Sequence, residues 1–96
     1  MITQDDIRVR REEIISLGKR YGASNFRIFG SVARGEPTET SDVDFLVEFE
    51  PGRSLLDQGG LLMDLRELLG IKVDLIEEGQ LSGRFAQLIR KEAVPL

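Results

Sequence analysis

The segment DVDFLVEF, residues 42–49, alternates two kinds of side chain with a period of two. Because successive side chains of a strand point to opposite faces, this alternation predicts a strand with one face turned to a core. The same geometry places the carboxylates of Asp42 and Asp44 together on the other face, about 6.5–7 Å apart. The buried face would carry Val43, Phe45, Val47 and Phe49, and the other face Asp42, Asp44, Leu46 and Glu48.

Apolar periodicity and turn residues around this strand predict the order α-β-β-α-β-α. The expected fold class is α+β, with a small mixed three-stranded sheet flanked by helices. In the last helix, Phe85, Leu88 and Ile89 are the expected buried residues, whereas Leu55 and Leu56 could belong to the core or to a partner contact. The predicted elements are a helix over 3–21 capped by Thr3 or Asp5, a strand over 26–29, a tight turn over 30–34, a loop over 35–41, a strand over 42–49, a helix from Ser54 to about Leu69, a strand over 71–76 and a helix over about 82–91.

Length and composition limit the number of domains and the kinds of metal site and catalysis that the chain can support. The 96 residues fit one domain, 1–96, whose core must be thin. With no cysteine and no histidine, thiolate or imidazole metal sites and Ser-His-Asp catalysis are excluded. The net charge of −4 argues against direct nucleic-acid binding. We expect a cytoplasmic protein, because no apolar run approaches the ~20 residues needed to span a bilayer and the start does not resemble a signal peptide.

Paired carboxylates on a strand have two interpretations. Asp42 and Asp44 could simply face solvent at the edge of a sheet. Alternatively, divalent cations between them would relieve their repulsion, and Mg²⁺ prefers carboxylates together with phosphate oxygens. Asp74, in the segment KVDLI, would lie on the same sheet face if its strand neighbours the strand of residues 42–49, and it could then bind a metal or accept a proton.

A glycine-serine pair precedes the aspartates by twelve residues. Gly30 would let the backbone approach a ligand closely, and Ser31 offers a hydroxyl and a backbone N–H that suit an anionic phosphate. Arg34 could add charge to that site, or it could pair with Glu36 or another acid. A plain turn is the alternative for the whole segment.

Together these residues resemble a known family. GSVARGE, then SDVDFLV, then VDLI is similar to the minimal nucleotidyltransferases of the DNA polymerase β-like superfamily, whose pattern is Gly-Ser, Asp-x-Asp and a third Asp. ELLGIKVDLI and the tail LIRKEAVPL are also typical of the prokaryotic minimal members, so the resemblance covers most of the chain.

The resemblance implies a fold, a reaction and a set of roles. It implies the nucleotidyltransferase fold, two Mg²⁺ ions and transfer of a nucleoside monophosphate from a nucleotide triphosphate. Asp42 and Asp44 would hold both metals, and Asp74 would complete the site as ligand and possible base. Gly30 and Ser31 would hold the triphosphate.

The minimal members are commonly antitoxins that pair with a HEPN-domain ribonuclease toxin and attach AMP from ATP to one of its tyrosines. The resemblance therefore implies a protein adenylyltransferase and a hetero-oligomer with such a toxin. Two rivals are a small-molecule acceptor, such as an aminoglycoside, and an antitoxin that acts by binding alone. The acceptor, the nucleotide preference, the number of nucleotides transferred and the oligomeric state are left open.

Overall fold

The computed structural model describes residues 1–39 and 42–96, so the last two residues of the predicted loop, Thr40 and Ser41, lie outside the described part. Five helices, four strands and one 3-10 turn occur in these ranges. The helices are α1 (Gln4–Arg8), α2 (Arg11–Arg20), α3 (Gly30–Ala33), α4 (Leu55–Leu69) and α5 (Gly83–Glu92). The strands are β1 (Ala23–Phe29), β2 (Val43–Phe49), β3 (Val73–Glu77) and β4 (Val94–Pro95), and the 3-10 turn is Glu78–Gln80.

The strands form one mixed sheet in the order β3-β2-β1-β4. β2 and β3 are parallel and are joined through α4, whereas β1 runs antiparallel to both β2 and β4. The predicted α+β class and mixed sheet are confirmed, with one strand more than expected. The added strand contains Pro95, which is compatible with a sheet edge because an edge strand needs ladder hydrogen bonds on only one side.

Two apolar layers cover the two faces of the sheet. On one face, Ile14 of α2 and Leu61 and Leu65 of α4 pack against the buried face of β2. There Phe45 meets Phe26 of β1 edge to face, with ring centroids 5.8 Å apart. On the other face, Ile89 of α5 packs on Phe29 and Leu46.

Capping residues in the sequence mark where α1 and α4 begin. Thr3 caps α1 and Ser54 caps α4, each with an acidic residue three positions on that completes a capping box. The predicted single helix over 3–21 is divided after Arg8, because tertiary contacts hold both sides of the break. Arg8 donates to the carbonyl of Pro95 at 2.8 Å, and Arg11 donates to the carbonyl of Leu96 at 3.0 Å.

Helix α5 turns a different face to the sheet from the one its largest side chains predict. Phe85 and Leu88 are 62% and 60% exposed, so the expectation that they are buried is wrong. The buried positions are Ala86 and Ile89, which lie three residues apart on one side of the helix. Helix α5 therefore meets the sheet through Ala86 and Ile89 and leaves its larger side chains outside.

An ion-pair cluster, here called the Glu78 clip, joins α5 to the sheet. Glu78 in the 3-10 turn pairs with Arg27 of β1 at 2.8 Å and with Arg90 of α5. Its hydrogen bond from Arg90 is the main cause that lowers the Glu78 pKa below its ordinary value. The ion pairs of the clip therefore help to hold α5 on the sheet, since few apolar side chains of this helix are buried.

Helix α4 carries a separate exposed apolar surface. Leu55, Leu56 and Met63 are 75%, 87% and 64% exposed, so neither leucine belongs to the core. In the described part of the chain, no helix combines the length and the apolar character needed to cross a membrane.

Candidate functional site

Two of the three predicted acids meet directly across the parallel strand pair. In the register of β2 and β3, Asp44 lies opposite Asp74, and Phe45 lies opposite Leu75. Because side chains of directly opposed residues in neighbouring strands share a face, both carboxylates point to the face that α5 partly covers. The alternation within β2 and the crossover through α4 thus bring together acids that are thirty residues apart in the chain.

Asp42 lies one residue before β2 begins and is partly exposed. Its carboxylate is 3.5 Å from the ammonium of Lys72, at the matching position before β3. Its negative charge still acts on Asp44 and raises the pKa of that group. The predicted pair Asp42 and Asp44 therefore lies at one end of the sheet, with Asp74 beside Asp44.

The carboxyl group of Asp44 has a strongly raised pKa. Its pKa rises from 3.8 to about 6, first because the group is partly buried, and then because Asp74 and Asp42 are negatively charged. A hydrogen bond with Asp74 and the charge of Glu92 act in the same direction. A carboxyl group that resists ionisation beside other acids is typical of sites that bind a cation or transfer a proton.

The glycine-serine turn closes over this carboxylate. Gly30 has φ +77°, a left-handed conformation that favours glycine. A Cβ added at this position would overlap the Oδ2 atom of Asp44, so the backbone of the turn lies directly on the acid. Ser31 follows at the start of α3, which Val32 anchors in the core. The turn and the carboxylate pair therefore share one site.

Glu92, at the end of α5, is a site residue that the sequence analysis missed. Its Oε1 atom accepts the backbone N–H of Gly30 at 2.8 Å, and its Oε2 atom accepts from Arg34 at 3.0 Å. Arg34 also lies 3.6 Å from Glu36, so it pairs with both acids. No local pattern marks Glu92, because its partners are about sixty residues away and only the return of α5 to the turn brings them together.

The donor set suits a hard cation, although the acids do not form a closed cage. Within residues 1–39 and 42–96, no group of three His, Cys, Asp or Glu side chains has the arrangement of a ready metal site. Asp44 and Asp74 nevertheless provide adjacent oxygen ligands whose mutual repulsion a cation would relieve. Mg²⁺ fits such an open, carboxylate-only set, since it usually completes its coordination with water and phosphate oxygens.

The raised pKa of Asp44 predicts how stability depends on pH without metal. Since the folded-state pKa of about 6 exceeds the ordinary 3.8, the folded chain binds more protons between these values. The free energy of unfolding should therefore fall by about 2 kcal/mol from this group as pH rises from about 4 to 6. The measurement is urea unfolding in EDTA at a series of pH values, for the wild type and for Asp44→Asn.

The difference between these two proteins isolates Asp44 from other titrating acids, such as Asp57 and Glu78, whose lowered pKa values act in the opposite direction. Asn at this position cannot ionise. The free energy of unfolding of Asp44→Asn should therefore rise relative to that of the wild type between about pH 4 and 6, and it should remain higher above pH 6. Parallel stability curves would contradict the perturbed pKa.

Comparison with known proteins places this chain among nucleotide-transferring enzymes. The sequence model of the family described as "Nucleotidyltransferase domain" matches residues 10–95. The match includes both Asp-containing strands and the glycine-serine turn.

Relatives and solved structures agree with that match. The chain is 42% identical to the protein adenylyltransferase MntA of Thermococcus cleftensis over 81% of this chain and 79% of the relative. It resembles a solved structure provisionally named a minimal nucleotidyltransferase, with 47% identity, a TM-score of 0.87, and coverage of 99% of this chain and 97% of the other. A toxin-antitoxin crystal structure with AMP-PNP shares the fold at 22% identity, with a TM-score of 0.74 and coverage of 88% and 69%.

Proposed function

The chain belongs to the nucleotidyltransferase domain family, and on that basis we propose that it transfers AMP from ATP to a tyrosine of a partner protein. The observation that carries this proposal is the pairing of Asp44 with Asp74 directly beneath the Gly30 turn. Such a site can bring a triphosphate, a cation and an acceptor hydroxyl together. The curated relative of Thermococcus cleftensis, named a protein adenylyltransferase, supports a protein acceptor.

In this proposal the aspartates hold Mg²⁺, with Asp42 and Asp44 as ligands of two ions and Asp74 as the third ligand. When bound, Mg²⁺ would neutralise the crowded carboxylates and the phosphate oxygens. Asp74 would also accept the proton of the incoming hydroxyl. The tyrosine oxygen forms a bond to the α-phosphorus of ATP, the bond to the β-phosphate breaks, and pyrophosphate leaves.

Gly30, Ser31 and Arg34 bind the triphosphate in this proposal. The backbone N–H of Gly30 and the guanidinium of Arg34 are both suited to phosphate oxygens, and both contact the carboxylate of Glu92. Glu92 thus marks where an anion fits. When a phosphate binds, the N–H of Gly30 and the guanidinium of Arg34 would donate to phosphate oxygens in place of the Glu92 carboxylate.

The proposed partner is a HEPN-domain toxin, which the chain would silence as its antitoxin. The toxin-antitoxin structure that shares this fold supports a toxin as the kind of partner. The test is to incubate the chain with the protein encoded beside it, labelled ATP and Mg²⁺, and to map any label by mass spectrometry. We expect AMP on a tyrosine and no label when EDTA removes the metal. A folded, ATP-binding sample that labels no protein would refute the proposal.

A second candidate is an antitoxin that acts by binding alone. The exposed leucines and methionine of α4 favour it, since an apolar surface of this kind is suited to a protein contact that needs no chemistry. The two candidates differ in whether protection of cells requires Asp44.

A further inference from the structure

An apolar groove lies between α5 and the glycine-serine turn. It has a volume of about 590 Å³ and is lined by Phe29, Gly30, Phe85, Leu88, Ile89, Lys91 and Glu92. Gly30 and Glu92 belong to the candidate site as well, so the groove continues directly from the proposed phosphate-binding turn. Its size is within the range of small-molecule sites.

Within residues 1–39 and 42–96, Phe85 is the one aromatic side chain that is exposed. Phe26, Phe29 and Phe45 are buried, and Tyr21 and Phe49 are half-buried. One exposed phenylalanine is ordinary by itself. Here, however, Phe85 and Leu88 form one apolar wall of a groove whose inner end is the turn, and neither side chain is needed to hold α5 to the sheet.

We propose that this groove is the nucleobase subsite, in which a purine stacks against Phe85 and Leu88. The inference rests on the proposed function, because phosphates held at Gly30 would leave the base of the same nucleotide to occupy the adjoining space. The lining of the groove favours this occupant, because a nucleobase is uncharged and Phe29, Phe85 and Leu88 are apolar. Lys91 also lines the groove and provides a cation there.

Stacking of this kind is tolerant of base identity, since every base has a π-face. The larger ring system of a purine would cover more of the apolar wall than a pyrimidine. We therefore expect ATP and GTP to bind similarly and CTP to bind more weakly. The exposed surface on α4 remains available for a protein partner, so the groove need not serve that role.

The test compares ATP with a ligand that has the three phosphates but lacks the base and the ribose. Affinities for ATP and for inorganic tripolyphosphate are measured by titration calorimetry with Mg²⁺, using the full chain. Phe85→Ala should weaken ATP binding about tenfold and leave tripolyphosphate binding unchanged. Leu88→Ala should act in the same direction with a smaller effect. Leu56→Ala, which removes an exposed leucine on α4, is the matched control and should change neither affinity.

Each other outcome overturns the inference. If Phe85→Ala leaves ATP binding intact, or weakens both ligands equally, the groove does not hold the base. If the variant keeps its nucleotide affinity but loses the partner protein, the groove is a protein contact instead. If the wild type binds tripolyphosphate and ATP equally well, the base has no subsite, whereas binding of neither ligand would refute the proposed function itself.

Discussion

Asp44→Asn is expected to abolish nucleotidyl transfer, with a loss of about a thousandfold or more, while the protein becomes more stable. The loss follows because the site depends on adjacent charged oxygens at Asp44 and Asp74 to hold a cation and a triphosphate. The gain follows because burial and the charges of Asp74 and Asp42 disfavour the ionised form of Asp44, as its pKa of about 6 shows, and Asn has no ionised form. Opposite changes in activity and stability are typical of residues kept for chemistry.

The measurements are initial rates of AMP transfer and the urea midpoint at pH 7.5 without metal. Glu48→Gln is the matched control, since Glu48 is an exposed acid of the same strand and should leave both quantities nearly unchanged. Full protection of cells by Asp44→Asn against the partner toxin would show that transfer is dispensable and would favour the antitoxin that acts by binding alone.

Gly30→Ala is expected to destabilise the protein by about 2–4 kcal/mol and to remove activity. One part of this cost is the left-handed conformation at φ +77°, which costs an alanine about 1 kcal/mol or more. The other part is the overlap of the new Cβ with the Asp44 carboxylate, which forces the turn and the acid apart. The measurement is the free energy of unfolding in urea together with the transfer rate.

Gly35→Ala separates these two contributions. Gly35 has φ +73°, close to that of Gly30, but a Cβ there would meet no atom within 4 Å. It should therefore show only the conformational cost. Adding Asp44→Ala to Gly30→Ala should raise the free energy of unfolding by at least about 1 kcal/mol, because the carboxylate that overlaps the new Cβ is then absent. Equal costs at the two glycines would mean that the turn does not press on Asp44.

Much of the site could be predicted because its parts are encoded locally. The alternation in residues 42–49 gave the strand and the common face of its acids, and the crossover helix with the KVDLI strand gave Asp74 beside Asp44. The Gly30 turn was recognisable from its residue types. The alternation and the turn each lie within a single element, whereas the position of Asp74 followed from the way a crossover helix joins two parallel strands.

The remaining features depend on how distant elements pack. Glu92 reaches Gly30 only through the path of α5, and β4 forms only because β1 offers a free edge. In α5 the prediction was right for Ile89 and wrong for Phe85 and Leu88, because apolar character alone does not show which side of a short helix meets the sheet. The sheet instead selected Ala86 with Ile89 and left Phe85 outside. Such choices are made by tertiary packing and have no signature in a short window of sequence.

The Glu78 clip has a consequence for how the site could move. Because α5 is attached by few buried apolar groups and by charge pairs, dissolved salt weakens its attachment more than that of α2 or α4. Local opening should therefore begin at this helix, and its amides should exchange with solvent deuterium before those of the sheet. Since α5 also carries Glu92 and one wall of the groove, its detachment would open the pocket and offer an exit for bound product.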